Sequence, residues 1–313
     1  MNALLFPGQG SQSVGMGSEF YNNFKIVKEI FDEADEKLNF KISKLILQGP
    51  EEDLQLTQNT QPAILTLSYA IFQTLKKEFN FNLDDFKYFA GHSLGEYSAL
   101  VCSKSLNFSD ALYLLHERGK AMQNAVPVGQ GKMLAVLGMQ ITEIKDLIEQ
   151  LNLKKGICEV ANDNAEGQVI LSGDKEGISS LQTLLKKNKI KSIPLKVSAP
   201  FHCTLMKPAA VSMTEKINKI KFDNPVYEII NNVTAKPEKN SEIIKKLLID
   251  QIFSSVKWRE SMIFMSNNNV KNFIEIGPGK VLTGMVKRTI KNSKIFSINT
   301  IDDIKNLTNE FKK

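Results

Sequence analysis

The chain has little cysteine and little histidine, three of each, and no apolar run long enough to cross a bilayer. Cys102, Cys158 and Cys203 are odd in number and form no C-x-x-C pair, which excludes a fully closed disulfide framework and a cysteine-type metal site. A reduced, cytosolic protein is expected, with each thiol a small core residue. The run Met1–Phe6 is too short for a signal-peptide core and leads into a glycine-rich turn, so it reads as the first strand. The lysines have no interleaved aromatics, which makes nucleic acid the least favoured acidic partner. There is no G-x-x-x-x-G-K-[ST] loop, and Ser13 stands where a dinucleotide fingerprint needs glycine. No metal or redox cofactor is implied. No internal repeat and no low-complexity linker interrupts the chain.

What is present is an ordinary globular composition. The 313 residues are 42% hydrophobic and 24% charged, enough to bury a substantial core in one large domain or two smaller ones. The formal net charge of +6 favours acidic partners. Short apolar runs alternate with helical patterns, which predicts an α/β fold with parallel strands. Strands are expected at Ala3–Phe6, Tyr88–Ala90, Tyr227–Asn231, Asn272–Ile276 and Lys294–Ile298. Met206, Ala210, Met213, Ile217 and Ile220 recur at helical spacing on one face.

The middle of the chain has a different rhythm. Lys132–Gly138 reads as a strand, followed by a helix capped by Thr142 with the stripe Ile144, Leu147, Ile148, Leu151. Ile157–Ala161 and Gln168–Ser172 read as a hairpin around an Asn/Asp/Gly turn. A helix with Ile178, Leu181 and Leu185 and a strand alternating Ile193, Leu195 and Val197 complete a β-α-β-β-α-β order. That is the ferredoxin-like pattern. It is placed at 128–196, inserted into a large α/β domain formed by 1–127 and 197–313, with a cleft between the two as the natural site.

Gly91-His92-Ser93-Leu94-Gly95 is a G-x-S-x-G segment between the apolar run Tyr88–Ala90 and the helix-compatible run Glu96–Val101. A strand, a sharp turn and a helix in that order make a nucleophile elbow, so the large domain is expected to be α/β-hydrolase-like. The turn would expose the Ser93 hydroxyl, and the N–H of Leu94 could donate to a developing oxyanion. A serine nucleophile needs a base. His92 adjoins the nucleophile on a sharp turn and is expected to pack beneath it, while His116 lies in the helical run Ala111–Met122. His202 follows the return from the inserted unit, at the cleft edge, and is the candidate base. Arg118 shares a helix face with Ala111, Leu115 and Met122. A guanidinium among apolar residues is either paired internally, snorkelling from the helix end, or a bidentate clamp for a substrate carboxylate. Spacing leaves these open. Phe6–Gln12 is a glycine-rich turn that either presents amides to the cleft or is purely structural.

Taken together, Phe-Pro-Gly-Gln-Gly-Ser-Gln at 6–12, Thr-Gln-Pro-Ala at 60–63, Gly-His-Ser-Leu-Gly-Glu-Tyr-Ser-Ala-Leu at 91–100, Arg-Gly-Lys-Ala-Met-Gln at 118–123, Phe-His-Cys at 201–203, Asn-Asn-Val at 231–233 and Glu-Ile-Gly-Pro-Gly-Lys-Val-Leu at 275–282 carry a family resemblance. The chain resembles the malonyl-coenzyme A:acyl carrier protein transacylases of fatty-acid synthesis. The resemblance implies Ser93 as nucleophile, His202 as base, Arg118 on the malonyl carboxylate and the amides of Gln9 and Leu94 as oxyanion hole. It also implies Gln251, and not its neighbour Asp250, as the histidine's partner. Malonyl-coenzyme A would be the donor and an acidic acyl carrier protein the transient acceptor, with no nucleic acid and no membrane involved. Lys187 and Lys189 are candidate carrier contacts. Phe201 and Ser255 depart from the commonest pattern of the stand-alone enzymes. Phenylalanine before the histidine is typical of malonyl-selective polyketide modules, which keeps a polyketide carrier open as acceptor. The rival reading on the same elbow is a serine esterase or thioesterase.

Overall fold

In the computed structural model, which describes every residue except Lys154, Ser198 and Lys313, the strands gather into two sheets. They are β1 (Asn2–Phe6), β2 (Phe86–Gly91), β3 (Gly131–Leu137), β4 (Cys158–Ala165), β5 (Gln168–Asp174), β6 (Ser192–Pro194), β7 (Glu228–Ile230), β8 (Pro237–Glu238), β9 (Asn272–Ile276) and β10 (Lys294–Ile298). The larger sheet runs β10-β9-β1-β2-β7-β8. Its pairs are parallel except the edge pair β7–β8. β1 is buried along its whole length. Leu4 and Phe6 enter one core while Ala3 and Leu5 enter the core on the opposite face. Helices cover both faces, which is why the strand reads as a continuous apolar run and not as an alternation.

The smaller sheet runs β4-β5-β3-β6 with every pair antiparallel. Period two divides its residues. Leu134, Val136, Val169 and Leu171 pack with Ile144, Ile178, Leu181 and Leu185 of the helices Ile141–Gln150 and Lys175–Lys187. Met133, Ala135 and Ile170 face the core of the larger unit instead. The expected α/β class, with a parallel sheet and an antiparallel βαββαβ unit within the chain, is what the structure holds.

Three local expectations are corrected. β4 does not stop at Ala161 but continues through Asn162–Ala165, and only Glu166–Gly167 turn. The polar residues stay in the strand because each finds a tertiary partner. Arg259 Nε lies 2.9 Å from Asp163 Oδ2, and Asn164 Oδ1 lies 2.8 Å from His92 Nε2. Irregularities in the β4–β5 register accommodate them. Thr142 is not the cap: the helix starts at Ile141, and the amide of Gln140 donates to Glu143 Oε2 at 2.7 Å. The last strand is short, Ser192–Pro194, with Ile193 exposed. Leu195 and Val197 lie beyond it and line a cavity between the sheets.

Candidate active site

β1 and β2 pair in register up to Phe6 opposite Gly91, so the loops leaving both strands start side by side at their carboxyl ends. That is where ligands bind in open parallel sheets. Ser93 sits between β2 and the helix Gly95–Cys102 at φ 53, a left-handed conformation that serine adopts only when its surroundings hold it there. The holding group is Asn232, whose Oδ1 accepts from the Ser93 amide at 2.7 Å while its Nδ2 donates to the Gly91 carbonyl at 2.7 Å. Neither flanking glycine has a positive φ; close approach is what demands them. A Cβ on Gly91 would lie 1.9 Å from the Gly95 carbonyl carbon, and one on Gly95 would lie 2.2 Å from the Phe6 carbonyl oxygen. Gly91→Ala is therefore expected to cost about 3 kcal/mol or more by overpacking rigid backbone. That corresponds to a melting temperature lower by about 6 °C or more. Thermal melting of the purified variant checks this, and an unchanged midpoint would contradict the packing described.

His202 also takes a positive φ, 58. Its Nε2 lies 2.8 Å from Ser93 Oγ, and its Nδ1 lies 2.8 Å from the Gln251 backbone carbonyl. A carbonyl only accepts, so the proton is on Nδ1 and the Nε2 lone pair faces the serine. Burial first, and then the Arg118 charge, push the imidazole down to about 3. It is thus a neutral acceptor at any working pH.

Arg118 is 1% exposed, on the helix Phe108–Asn124 with Ala111, Leu115 and Met122 buried on the same face. Its Nη1 donates to Gln61 Oε1 at 2.7 Å, and its Nη2 to Gln251 Oε1 at 2.9 Å and to Ser93 Oγ at 3.1 Å. No ion pair to it occurs among the described residues. The buried position rules out snorkelling, and the partners are neutral oxygens. What remains is a desolvated cation next to the serine with no anion of its own.

Ser93, His202, Arg118, Gln9 and Leu94 line one cavity of about 250 Å³ whose opposite wall includes Met133, Asn164 and Ile170 of the smaller sheet. Gln251 is beside it and meets His202. The backbone carbonyl, not the side chain, meets His202, while the side-chain Nε2 donates to Ser93 O at 3.1 Å and Glu96 Oε2 at 2.7 Å. Asp250 is exposed. His92 does not pack wholly beneath the elbow: it lines the cavity, bonded to Asn164. His116 bonds the Gln58 carbonyl at 2.9 Å, away from the serine. Lys187 and Lys189 are exposed at the end of the helix Lys175–Lys187 and after it.

Sequence reasoning missed Glu96, Gln61, Asn232 and Asn164 as site residues. Gln61, Glu96 and Asn232 fall inside matched segments, which was the available signal. Glu96 looked like a helix residue and Asn164 like a turn residue, and neither pattern reveals a long-range partner.

An acyl transferase domain family matches residues 3–311. The malonyl CoA-acyl carrier protein transacylase of Bacillus subtilis (strain 168) is 43% identical over 303 residues, covering 96% of this chain and 94% of that protein. The crystal structure of an acyl-carrier-protein-S-malonyltransferase from Bartonella henselae superposes with a TM-score of 0.96 at 37% identity, covering 100% of both chains. A malonyl-transacylase solved in complex with a type II PKS acyl-carrier protein matches with a TM-score of 0.94 at 37% identity, over 98% of this chain and 99% of that one. The chain belongs to the malonyl CoA-acyl carrier protein transacylases of the acyl transferase domain family.

Proposed function

We propose that this chain transfers the malonyl group of malonyl-coenzyme A to the phosphopantetheine thiol of an acyl carrier protein, supplying fatty-acid elongation, through a malonyl ester on Ser93. The observation that carries it is the buried Arg118, without an ion-pair partner among the described residues, whose Nη2 lies 3.1 Å from Ser93 Oγ. A charged acyl group is the ligand that such a cation lacks. Ser93 Oγ attacks the thioester carbonyl as its proton passes to His202 Nε2. The oxyanion is taken by the amides of Gln9 and Leu94, the C–S bond breaks, and coenzyme A leaves with the proton returned by the imidazolium. The carrier thiol then repeats the sequence in reverse. Gln251 supports His202 through its carbonyl, so no carboxylate completes a triad. We place the inserted unit at 128–196 and the protein in the cytoplasm. The latter is supported by three buried, unpaired cysteines, and no helix among the described residues is long and apolar enough to cross a membrane.

Malonyl transfer from coenzyme A to a carrier, measured beside release of free malonate, tests the reading. Transfer with little hydrolysis is expected, and hydrolysis indifferent to the carrier would favour a thioesterase. The carrier step should also weaken steeply with salt, because a basic chain meets an acidic partner. Lys187 and Lys189 are candidate contacts. So are Lys287 and Arg288 on the helix Val281–Thr289, whose Leu282 and Met285 line the cavity. A carrier step whose rate ignores ionic strength would exclude steering.

A further inference from the structure

Glu96 stands just past Ser93 on the helix Gly95–Cys102 and is wholly buried. Its Oε1 accepts from Asn231 Nδ2, and its Oε2 accepts from the Asn232 amide at 3.2 Å and Gln251 Nε2 at 2.7 Å. Three N–H groups thus converge on the carboxyl. Such a set suits a carboxylate, which accepts at both oxygens, and leaves the O–H of an acid nothing but donors to face. A buried carboxylate with no cation in contact among the described residues is costly and calls for a reason. The far side of Gln251 supplies one. Its Nε2 is committed to Glu96 and to Ser93 O, so its Oε1 is turned toward Arg118 Nη2 at 2.9 Å. An amide has one accepting end and one donating end, and whatever holds the first decides what the second offers.

We propose that Glu96 is a positioning residue for acyl selectivity: its carboxylate sets which way the Gln251 amide points, and through it holds the Arg118 guanidinium aimed at the cavity with no carboxylate partner of its own. This rests on the reading of Arg118 as the malonyl clamp. A carboxylate in direct contact with Arg118 would compete with the substrate's. At the remove of one amide, Glu96 balances the buried cation and leaves its donating edge for the ligand. Asn231 is not free to compensate for a lost carboxylate, because its Oδ1 already accepts from the amides of Val233 and Thr234 at 2.8 and 3.3 Å. Glu96→Gln has the same size but puts an NH2 group among the three donors. Either Asn231 then faces a donor unpaired, or Gln251 reverses and turns its own NH2 toward Arg118.

Burial pushes the Glu96 carboxyl up to about 7, against the pull of its three donors and of Arg118. The other groups facing this cluster are Tyr97 on the same helix, raised to about 12 by burial, Arg118 on the helix Phe108–Asn124, and His202 through the Gln251 carbonyl, lowered to about 3. The segment 231–234 and the helix Ser241–Gln251 present only amides to it. Between pH 6 and 8 a change in charge here therefore belongs to Glu96.

The test compares kcat/KM for malonyl and acetyl transfer from their coenzyme A thioesters in the wild type and Glu96→Gln, with melting temperatures alongside. Malonyl transfer is expected to fall at least about tenfold more than acetyl transfer, chiefly through KM, the scale of one misaligned charge-assisted hydrogen bond. The wild-type malonyl:acetyl ratio should decline from pH 8 to 6 and be flat in the variant. Equal loss of both acyl groups, with the ratio and its pH dependence unchanged, overturns the proposal and leaves Glu96 a packing residue. Should Glu96→Gln not fold, Glu96→Asp keeps the charge but withdraws it from Gln251; the same fall in ratio is expected, and an unchanged ratio overturns the proposal. A wild-type chain with no malonyl preference instead overturns the clamp reading itself.

Discussion

Incubated with malonyl-coenzyme A and no acceptor, the protein is expected to carry a malonyl group on the peptide containing Ser93, and Ser93→Ala to carry none. His202→Ala should slow formation of that adduct at least about a hundredfold, the usual scale of a general base. The geometry leaves little redundancy. Ser93 Oγ has His202 Nε2 at 2.8 Å as its acceptor, and the only other side-chain contact described for it is with Arg118, which donates. With the imidazole held near 3 by burial and by the neighbouring guanidinium, the base is not protonated in mildly acidic solution. The direction is that of a depressed histidine: the neutral, working form persists as pH falls through 6.5 and is lost only near the lowered value. Acylation by acetyl-coenzyme A, which makes no use of the Arg118 clamp, should therefore show no half-point near pH 6.5. Mass mapping of the adduct and a rapid-quench pH profile check both. Wild-type turnover in Ser93→Ala would move the nucleophile elsewhere.

Arg118→Ala should reduce malonyl transfer by roughly 3–5 kcal/mol, since the substrate's carboxylate would be left buried and unpaired. That is about two to four decades in kcat/KM. Acetyl transfer should fall far less. It will not be untouched, because the guanidinium also ties Gln61 Oε1 and Gln251 Oε1 together beside Ser93. Those losses strike both acyl groups, so the malonyl:acetyl ratio isolates the clamp. Arg118→Lys should lie nearer to alanine, because an ammonium cannot hold Gln61, Gln251 and a bidentate carboxylate from one planar fork. An unchanged ratio in Arg118→Ala would make the arginine structural, and malonyl recognition would have to come from another residue.

The elbow was legible because its demands are local. A strand, two glycines and a helix start lie within one short segment, and sterics alone restrict those positions. His202 was singled out as the candidate base by elimination, since the chain holds so few histidines, and the structure places it beside Ser93. The extent of β4 was not legible. Asn162–Asn164 have turn propensity, and partners distant in sequence, Arg259, His92 and the Val256 backbone, help keep them extended beside β5. The position of Gln251 came with the family pattern; which of its atoms meets His202 depends on where the helix Ser241–Gln251 ends in space.

The sequence by itself determined the class of fold and the order of elements in the smaller unit, and it singled out Ser93 and His202 as the candidate nucleophile and base. The fold class, the element order and the elbow follow from hydrophobic periodicity and from steric rules that act over a few residues, and His202 follows from elimination among three histidines. The tertiary structure alone decided what surrounds Arg118 and what becomes of Glu96. Both are charged residues on helix faces, and a sequence does not say whether such a face meets water, an acid or an amide. Here the answer is amides on both, with Gln251 bonded to each charge. The physical reason is that desolvation and hydrogen-bond complementarity are settled between segments more than a hundred residues apart, and only the folded chain brings those segments together.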